Sequence, residues 1–188
     1  TTVLLVEAGG TERSLTIRMP AALGINTARG RHNWCYETVP QPHLNGRSIF
    51  TPRGKGLGGS SSINGMVYVR GHARDFDRWE QEGAHGWSYE SVLPYFKKIE
   101  HWSGDQSPFR GEEGPVPVTA RTPDNLLDIA FLRAGVEAGY PATSDINGEH
   151  QEGVGRFDTN INAGERARSS QTYLVPALSR PNLKVLTQ

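Results

Sequence analysis

The chain has little of what marks the more specialised protein classes. Its 188 residues carry 20 basic and 20 acidic side chains, so no net field draws in nucleic acid or an anionic membrane surface. Cysteine occurs once, at Cys35, which excludes an internal disulfide and any scaffold stapled by one. Set between Trp34 and Tyr36, that cysteine reads as a buried, inert thiol. No apolar run reaches the ~18–20 residues that a membrane-spanning helix needs, and no leader pattern precedes the first strand residues. The six histidines (His32, His43, His72, His85, His101 and His150) show neither an i, i+4 pair nor a cysteine partner. No metal site is expected from them, and no Ser-His-Asp constellation follows from the spacings.

What is abundant is glycine, with 22 residues clustered at 54–59 and scattered through turns. The apolar run Val3-Leu4-Leu5-Val6, stopped by Glu7-Ala8-Gly9-Gly10, reads as a fully buried parallel strand with Glu7 at its carboxyl lip. Pro20–Leu23 suggests a helical turn, Trp34–Val39 an extended segment ending at Pro40. Phe76 and Trp79 predict a helix over Asp75–Glu82 stopped by Gly83. Ser88 caps a second helix to Glu100 with Pro94 inside it and Val92, Leu93, Phe96 and Ile99 on one face. Pro115–Thr119 reads as a short edge strand. Thr122 as cap, Pro123 at the first position and Gly139 as stop frame a helix whose buried stripe is Leu126, Ile129, Ala130, Leu132 and Val136. Asp145–Gly148 reads as a turn. Phe157, Thr159 and Ile161 alternate like a half-buried strand, Ser169–Leu178 is helical, and Asn182–Leu186 is again a strand.

The stretch PRGKGLGGSSSINGMVYVRG, residues 52–71, contains Gly54-x-Gly56-x-x-Gly59, the spacing of a dinucleotide fingerprint. Its context does not fit a self-contained one, because the glycines must follow a buried strand and the acidic residue must close the next strand. Only fifteen residues separate Gly59 from Asp75, too few for a helix of ~10, a strand of ~5 and their connection. Pro52 spoils the preceding strand, and Lys55 is out of order for a nucleoside-triphosphate loop. The acidic residue that closes a buried strand is Glu7, where a carboxylate can take a ribose diol; a Glu that merely ends a strand looks the same.

Leu4-Leu5-Val6-Glu7-Ala8-Gly9-Gly10, followed by Gly54 through Gly71, resembles the glucose–methanol–choline (GMC) flavoprotein oxidoreductases. The similarity continues through Asp77-Arg78-Trp79, Gly86-Trp87-Ser88-Tyr89, Leu93-Pro94-Tyr95-Phe96, Asp145-Ile146-Asn147-Gly148 and Arg180-Pro181-Asn182-Leu183, and so covers the whole chain. Within the family it looks most like the bacterial choline dehydrogenase and related alcohol dehydrogenase branch. The resemblance implies an α/β fold with α+β elements in the second part: an incomplete Rossmann-like FAD-binding domain over 1–114, part of a substrate-binding domain over 115–181, and a strand at 182–188 returning to the first. It implies an internal piece of a longer protein, lacking the first βα unit with its glycine fingerprint.

The implied roles follow residue by residue. Glu7 binds the adenosine ribose. Gly58 and Gly59 let backbone N–H groups approach the pyrophosphate at the start of a helix, with Ser60 beside it and Ser61 adding a hydroxyl. Asn64, Gly65, Met66 and Val67 face the flavin. Arg53 and Lys55 read as a solvated pair near the phosphates. Some choline-oxidising members carry a histidine, bonded covalently to the flavin, where this chain has Ile63, so the FAD here is expected to be non-covalent. The family's catalytic histidine lies beyond Gln188, and none of the six present matches it. The expected activity is oxidation of choline or a related primary alcohol by hydride transfer to flavin, with this piece inactive alone. A flavin-containing hydroxynitrile lyase and a non-catalytic nucleotide-binding module are the alternatives. The expected location is cytoplasmic or peripherally membrane-associated in a bacterium; electron acceptor and oligomeric state are left open.

Overall fold

The computed structural model of the chain describes every residue except 12, 29, 31 and 122–124. It divides into two compact units, one of Thr1–Met66 with Ile161–Gln188, the other of Val67–Asn160. This is a division by packing; the functional boundaries at 114/115 and 181/182 remain a proposal.

In the first unit the strand Val3–Val6 pairs in parallel with Leu183–Leu186, Val3 opposite Leu183 and Val6 opposite Leu186. The pairing is the one a continuous β-branched run favours, but the burial is not. All four residues of Val3–Val6 are exposed, Val6 to 70%, and among the described residues the strand has one hydrogen-bonded neighbour. Helical turns over Leu15–Arg18, Pro20–Ala22 and Leu23–Thr27 carry Ile17 and Ala22 into the core. The extended segment shrinks to Tyr36–Glu37, paired antiparallel with Phe50–Thr51. Buried Asn33 is the cause: its Oδ1 accepts the Cys35 and Arg53 amides at 3.0 Å each and turns the chain, setting Cys35 in the left-handed region at φ 55°. Cys35 is therefore half-buried and lies just before the strand, not buried within it.

Ile161–Asn162 and Glu165–Arg166 form a hairpin. Ala163 and Gly164 between them both have positive φ, 49° and 77°, as a tight two-residue hairpin turn requires. A π-helical turn, Ser170–Leu174, runs into Val175–Ala177, within the helix expected there.

In the second unit the helix Ala73–Gln81 is capped by His72, whose Nδ1 accepts the Arg74 amide at 3.1 Å, and its Phe76 packs edge-on to Trp79 and Phe96. Ser88 caps Tyr89–Ile99. The strand Glu100–Trp102 pairs in parallel with Val116–Val118, and Val118 is fully buried. The helix Leu126–Glu137 is capped by Asn125, whose Oδ1 accepts the Leu127 amide at 2.8 Å; the expected start at Thr122 and Pro123 lies outside the described residues. Its apolar stripe is not buried. Of the expected stripe, Leu126, Ile129 and Val136 are 80, 44 and 49% exposed, and Leu127 and Phe131 outside it are 77 and 73% exposed, since the apolar residues are spread around this helix rather than gathered on one face.

Asp158–Thr159 pairs antiparallel with Val67–Tyr68. The expected alternation is only partly kept: Thr159 is buried as expected, but Phe157 is exposed and Asp158 is buried. Asp158 is drawn inward by Arg110. That guanidinium meets Glu100 at 2.7 Å, Asp145 at 2.6 Å and Asp158 at 2.9 Å, and lies 3.6 Å over the Trp102 ring. Glu100 also takes Arg70 at 2.5 Å and the Gly111 amide at 2.9 Å. Burial opposes the charge on Arg110, but the hydrogen bonds to Glu100 and Asp158 outweigh it and its pKa rises. Burial pushes Asp158 up as well, against the pull of Arg110. The short, doubly hydrogen-bonded contacts favour the ionised network.

Candidate functional site

Glu7 closes the first strand, and its carboxylate fastens two backbone segments. Oε1 accepts the Gly9 amide at 2.7 Å and the Gly56 amide at 2.9 Å, so the strand end is tied to the glycine loop 49 residues on. Both bonds fall on Oε1; Oε2 has no hydrogen-bond partner among the described residues. The approach is close enough that a Cβ at Gly9 would lie 2.5 Å from the Gly56 nitrogen. Glu7, Leu57 and Gly58 line one cleft of about 470 Å³, with Ser169, Tyr173 and Leu174 on its helical side. A larger cleft of about 740 Å³ in the other unit is lined by Lys97, Lys98, Glu112 and Glu113. It contains none of the residues expected to bind the cofactor, and Arg110 of the buried ionic network reaches its wall.

The glycine loop departs from expectation in one respect. Gly58 and Gly59 do not open a helix but a single 3₁₀ turn, Gly59–Ser62. The dipole of so short a turn is small, so individual donors must do what a helix end was expected to do. Gly56, Gly58 and Gly59 all have positive φ, at 139°, 91° and 52°, which only glycine adopts without strain. Among the described residues the Gly58 and Ser60 amides have no backbone partner, whereas those of Gly59 and Ser61 bond back within the turn. Ser60 Oγ accepts the Gly54 amide at 3.1 Å and keeps its proton to donate. The Ser61 hydroxyl is not free to face a ligand: it donates to Gly58 O at 2.5 Å and meets Ser169 Oγ at 3.0 Å. A Cβ built at Gly59 or Gly65 meets nothing, so the face beside the turn is open.

Asn64 is exposed and its side chain is fixed. Oδ1 accepts the Met66 amide at 3.1 Å and Arg166 Nη1 at 2.8 Å, which leaves Nδ2 as the group with donors to spare. The first bond holds Met66 in the left-handed region at φ 61° and sends its side chain into the core at 6% exposure. Ile63 is buried at 3%. Val67, the last predicted site residue, is the first residue of the second unit and is 49% exposed.

The residue that the sequence did not single out is Arg166. It is fully buried, and it donates to Ile17 O at 3.1 Å, to Asn64 Oδ1 and to Asn64 O. Burial lowers its pKa, and Arg168 adds to the effect. The only sequence signal was an alternation of arginines in Glu165-Arg166-Ala167-Arg168, which reads equally well as a solvated strand. His72 serves as a helix cap. Among the described residues no group of three His, Cys, Asp or Glu side chains could hold a metal ion, and no helix is long and apolar enough to cross a membrane.

The fold is shared with known proteins. A family model described as GMC oxidoreductase matches residues 2–188. Oxygen-dependent choline dehydrogenases from Brucella anthropi and Sinorhizobium fredii are 50% and 51% identical over 184 residues. Those alignments cover 98% of this chain but 34% of each relative, so the chain spans only that share of the curated proteins it matches. Pyridoxine 4-oxidase from Mesorbium loti superposes over the whole chain with a TM-score of 0.93 at 33% identity, covering 37% of that structure. A formate oxidase follows the same fold with a TM-score of 0.84 at 28% identity, 34% of its own length being covered. Matched from its second residue to its last by that family's model, and half identical to two curated enzymes, the chain belongs to the GMC oxidoreductases.

Proposed function

We propose that this chain forms part of the FAD grip of an enzyme that oxidises a primary alcohol, choline or a close relative, to the aldehyde. One observation carries the reading: the Glu7 carboxylate and the glycine loop are hydrogen-bonded to each other and line the same cleft. Two features of unrelated position would have no reason to converge there.

The residues present fit the cofactor. A ribose diol offers two hydroxyl donors, and Glu7 Oε2 is an ionisable acceptor with no other partner among the described residues. A pyrophosphate needs donors at close range, which the unpaired Gly58 and Ser60 amides and the Ser60 proton provide. The absence of side chains at Gly59 and Gly65 leaves room for a planar ring system. Asn64 Nδ2 would donate to the flavin edge, and the backbone at Gly65 and Met66 would continue that wall. Buried Ile63 has no nucleophile, so the cofactor is held without a covalent bond.

Bound FAD supplies a hydride acceptor. The chain's own part is binding and orientation, and the base that takes the alcohol's proton is proposed to lie outside these 188 residues. In this scheme residues 1–114 and 182–188 serve the cofactor and 115–181 the substrate-covering portion. The relatives named above support choline as the first substrate to try.

The test is purification of the protein that carries this chain, with flavin absorbance, denaturant release of FAD, and dye reduction by choline. Flavin released intact by denaturant together with choline-dependent dye reduction is the expected result. A flavin-free protein, or flavin that stays attached after denaturation, would overturn the cofactor reading; retained flavin with no reduction by any primary alcohol would overturn the substrate class. The isolated 188 residues are expected to bind FAD weakly and to turn over no alcohol.

A further inference from the structure

Buried arginines are ordinarily matched by carboxylates, as Arg70 and Arg110 are in the second unit. Arg166 is not. Its side chain is wholly enclosed, yet every acceptor it meets is neutral: the carbonyls of Ile17 and Asn64 and the amide oxygen of Asn64. Its Nη2 is buried with no hydrogen-bond partner among the described residues. The adjacent Glu165 pairs with Arg18 instead. A guanidinium in this state retains a full positive charge and at least one strong donor that nothing in the described chain satisfies. Such an arrangement is costly unless something else completes it.

The location narrows what that is. Nη1 grips Asn64 twice, through Oδ1 and the main-chain oxygen, and Asn64 in turn fixes Met66. Arg166 thus holds rigid the turn that the proposed function assigns to the flavin. We infer that Arg166 is a positioning residue for the flavin-facing turn, and that its unneutralised charge raises the cofactor's affinity for electrons. This inference rests on the reading of the site as an FAD grip. A nearby positive charge in a low-dielectric interior favours the more negative, reduced state of a redox group, and a planar, pre-organised fork holds a turn better than a flexible ammonium.

The experiment uses the full-length flavoprotein and three variants, R166M, R166Q and R166K. Each is measured for FAD dissociation constant and for the equilibrium between flavin and a reference dye of known potential. R166M and R166Q are expected to shift that equilibrium at least about tenfold toward oxidised flavin, the scale of one buried charge at moderate effective dielectric. R166K keeps the charge and is expected to hold the equilibrium within about threefold while weakening FAD retention, since it loses the fork. Should R166M fail to fold, R166Q and R166K still decide the question. An R166Q protein with unchanged potential, or an R166K protein shifted as far as R166Q, overturns the inference. So does a loss of FAD affinity with no change of potential, which would assign the charge to the phosphates. A wild-type protein without flavin would instead remove the underlying site reading, and the two failures are thereby told apart.

Discussion

Replacing Glu7 separates the two jobs its carboxylate performs. In Glu7→Ala the Gly9 and Gly56 amides lose an ionised acceptor at 2.7 and 2.9 Å. Hydrogen bonds to charged groups are worth about 1.5–3 kcal/mol each, and leaving a buried donor unmade costs a similar amount. The site is only partly buried, so water recovers much of this, and a net loss of about 1–3 kcal/mol in the local stability of the loop is expected. Glu7→Gln keeps a carbonyl acceptor of the same shape but without charge, and should lose about 1 kcal/mol. For cofactor binding, removal of the ribose acceptor should weaken FAD by about 10–100-fold in Glu7→Ala. Glu7→Gln should fall between wild type and Glu7→Ala. Hydrogen exchange reports the first effect at the Gly56 amide, and flavin fluorescence titration of the full-length protein reports the second. If Glu7→Ala left Gly56 as protected as in the wild type and FAD affinity within about twofold, the strap would carry no energy. The reading of Glu7 as a cofactor residue would then fail.

Three further outcomes are expected. Glu100→Ala removes the carboxylate that pairs with buried Arg70 and leaves Arg110 only Asp145 and Asp158, and should cost about 3–5 kcal/mol in urea unfolding; a loss under about 1 kcal/mol would show that water already enters the network. Gly54→Ala places a Cβ 2.1 Å from the Gly59 carbonyl oxygen, so the turn must move, with a loss of roughly 1–3 kcal/mol and of FAD affinity; unaltered binding would show the turn to be plastic. Glu80 takes the amide of Trp87 at 2.7 Å and of Ser88 at 3.1 Å, and these bonds, that of Trp87 foremost, hold its pKa below the usual 4.5. Its contribution is therefore complete above that ordinary value and lost as pH falls through the lowered one. Glu80→Gln should flatten the acid limb of the stability profile, and an unchanged limb would refute the assignment.

Local chemistry is legible wherever a few neighbouring residues decide the outcome. Ser88 as a cap, Gly83 and Gly139 as helix stops and the turn at Asp145–Gly148 depend on the chain within one or two turns, and each is found. The strands Val3–Val6 and Leu183–Leu186 were also readable, and so was their suitability for parallel pairing. Reading failed where a distant partner overrides the local preference. Asn33 breaks the strand expected at Cys35 by capturing Arg53, twenty residues away. Asp158 is pulled inward against its alternation by Arg110, 48 residues away.

The sequence by itself determined the family and pointed to Glu7, Gly58, Ser60 and Asn64 as candidates, because these lie in short stretches that carry the family resemblance. Only the tertiary structure decided that Glu7 reaches Gly56, that the expected helix is a single turn, and that Arg166 stands behind Asn64 without a counter-charge among the described residues. The physical reason is separation along the chain. Hydrogen-bond geometry and desolvation depend on which groups are neighbours in space, and for residues 49 and 102 positions apart no local pattern carries that information.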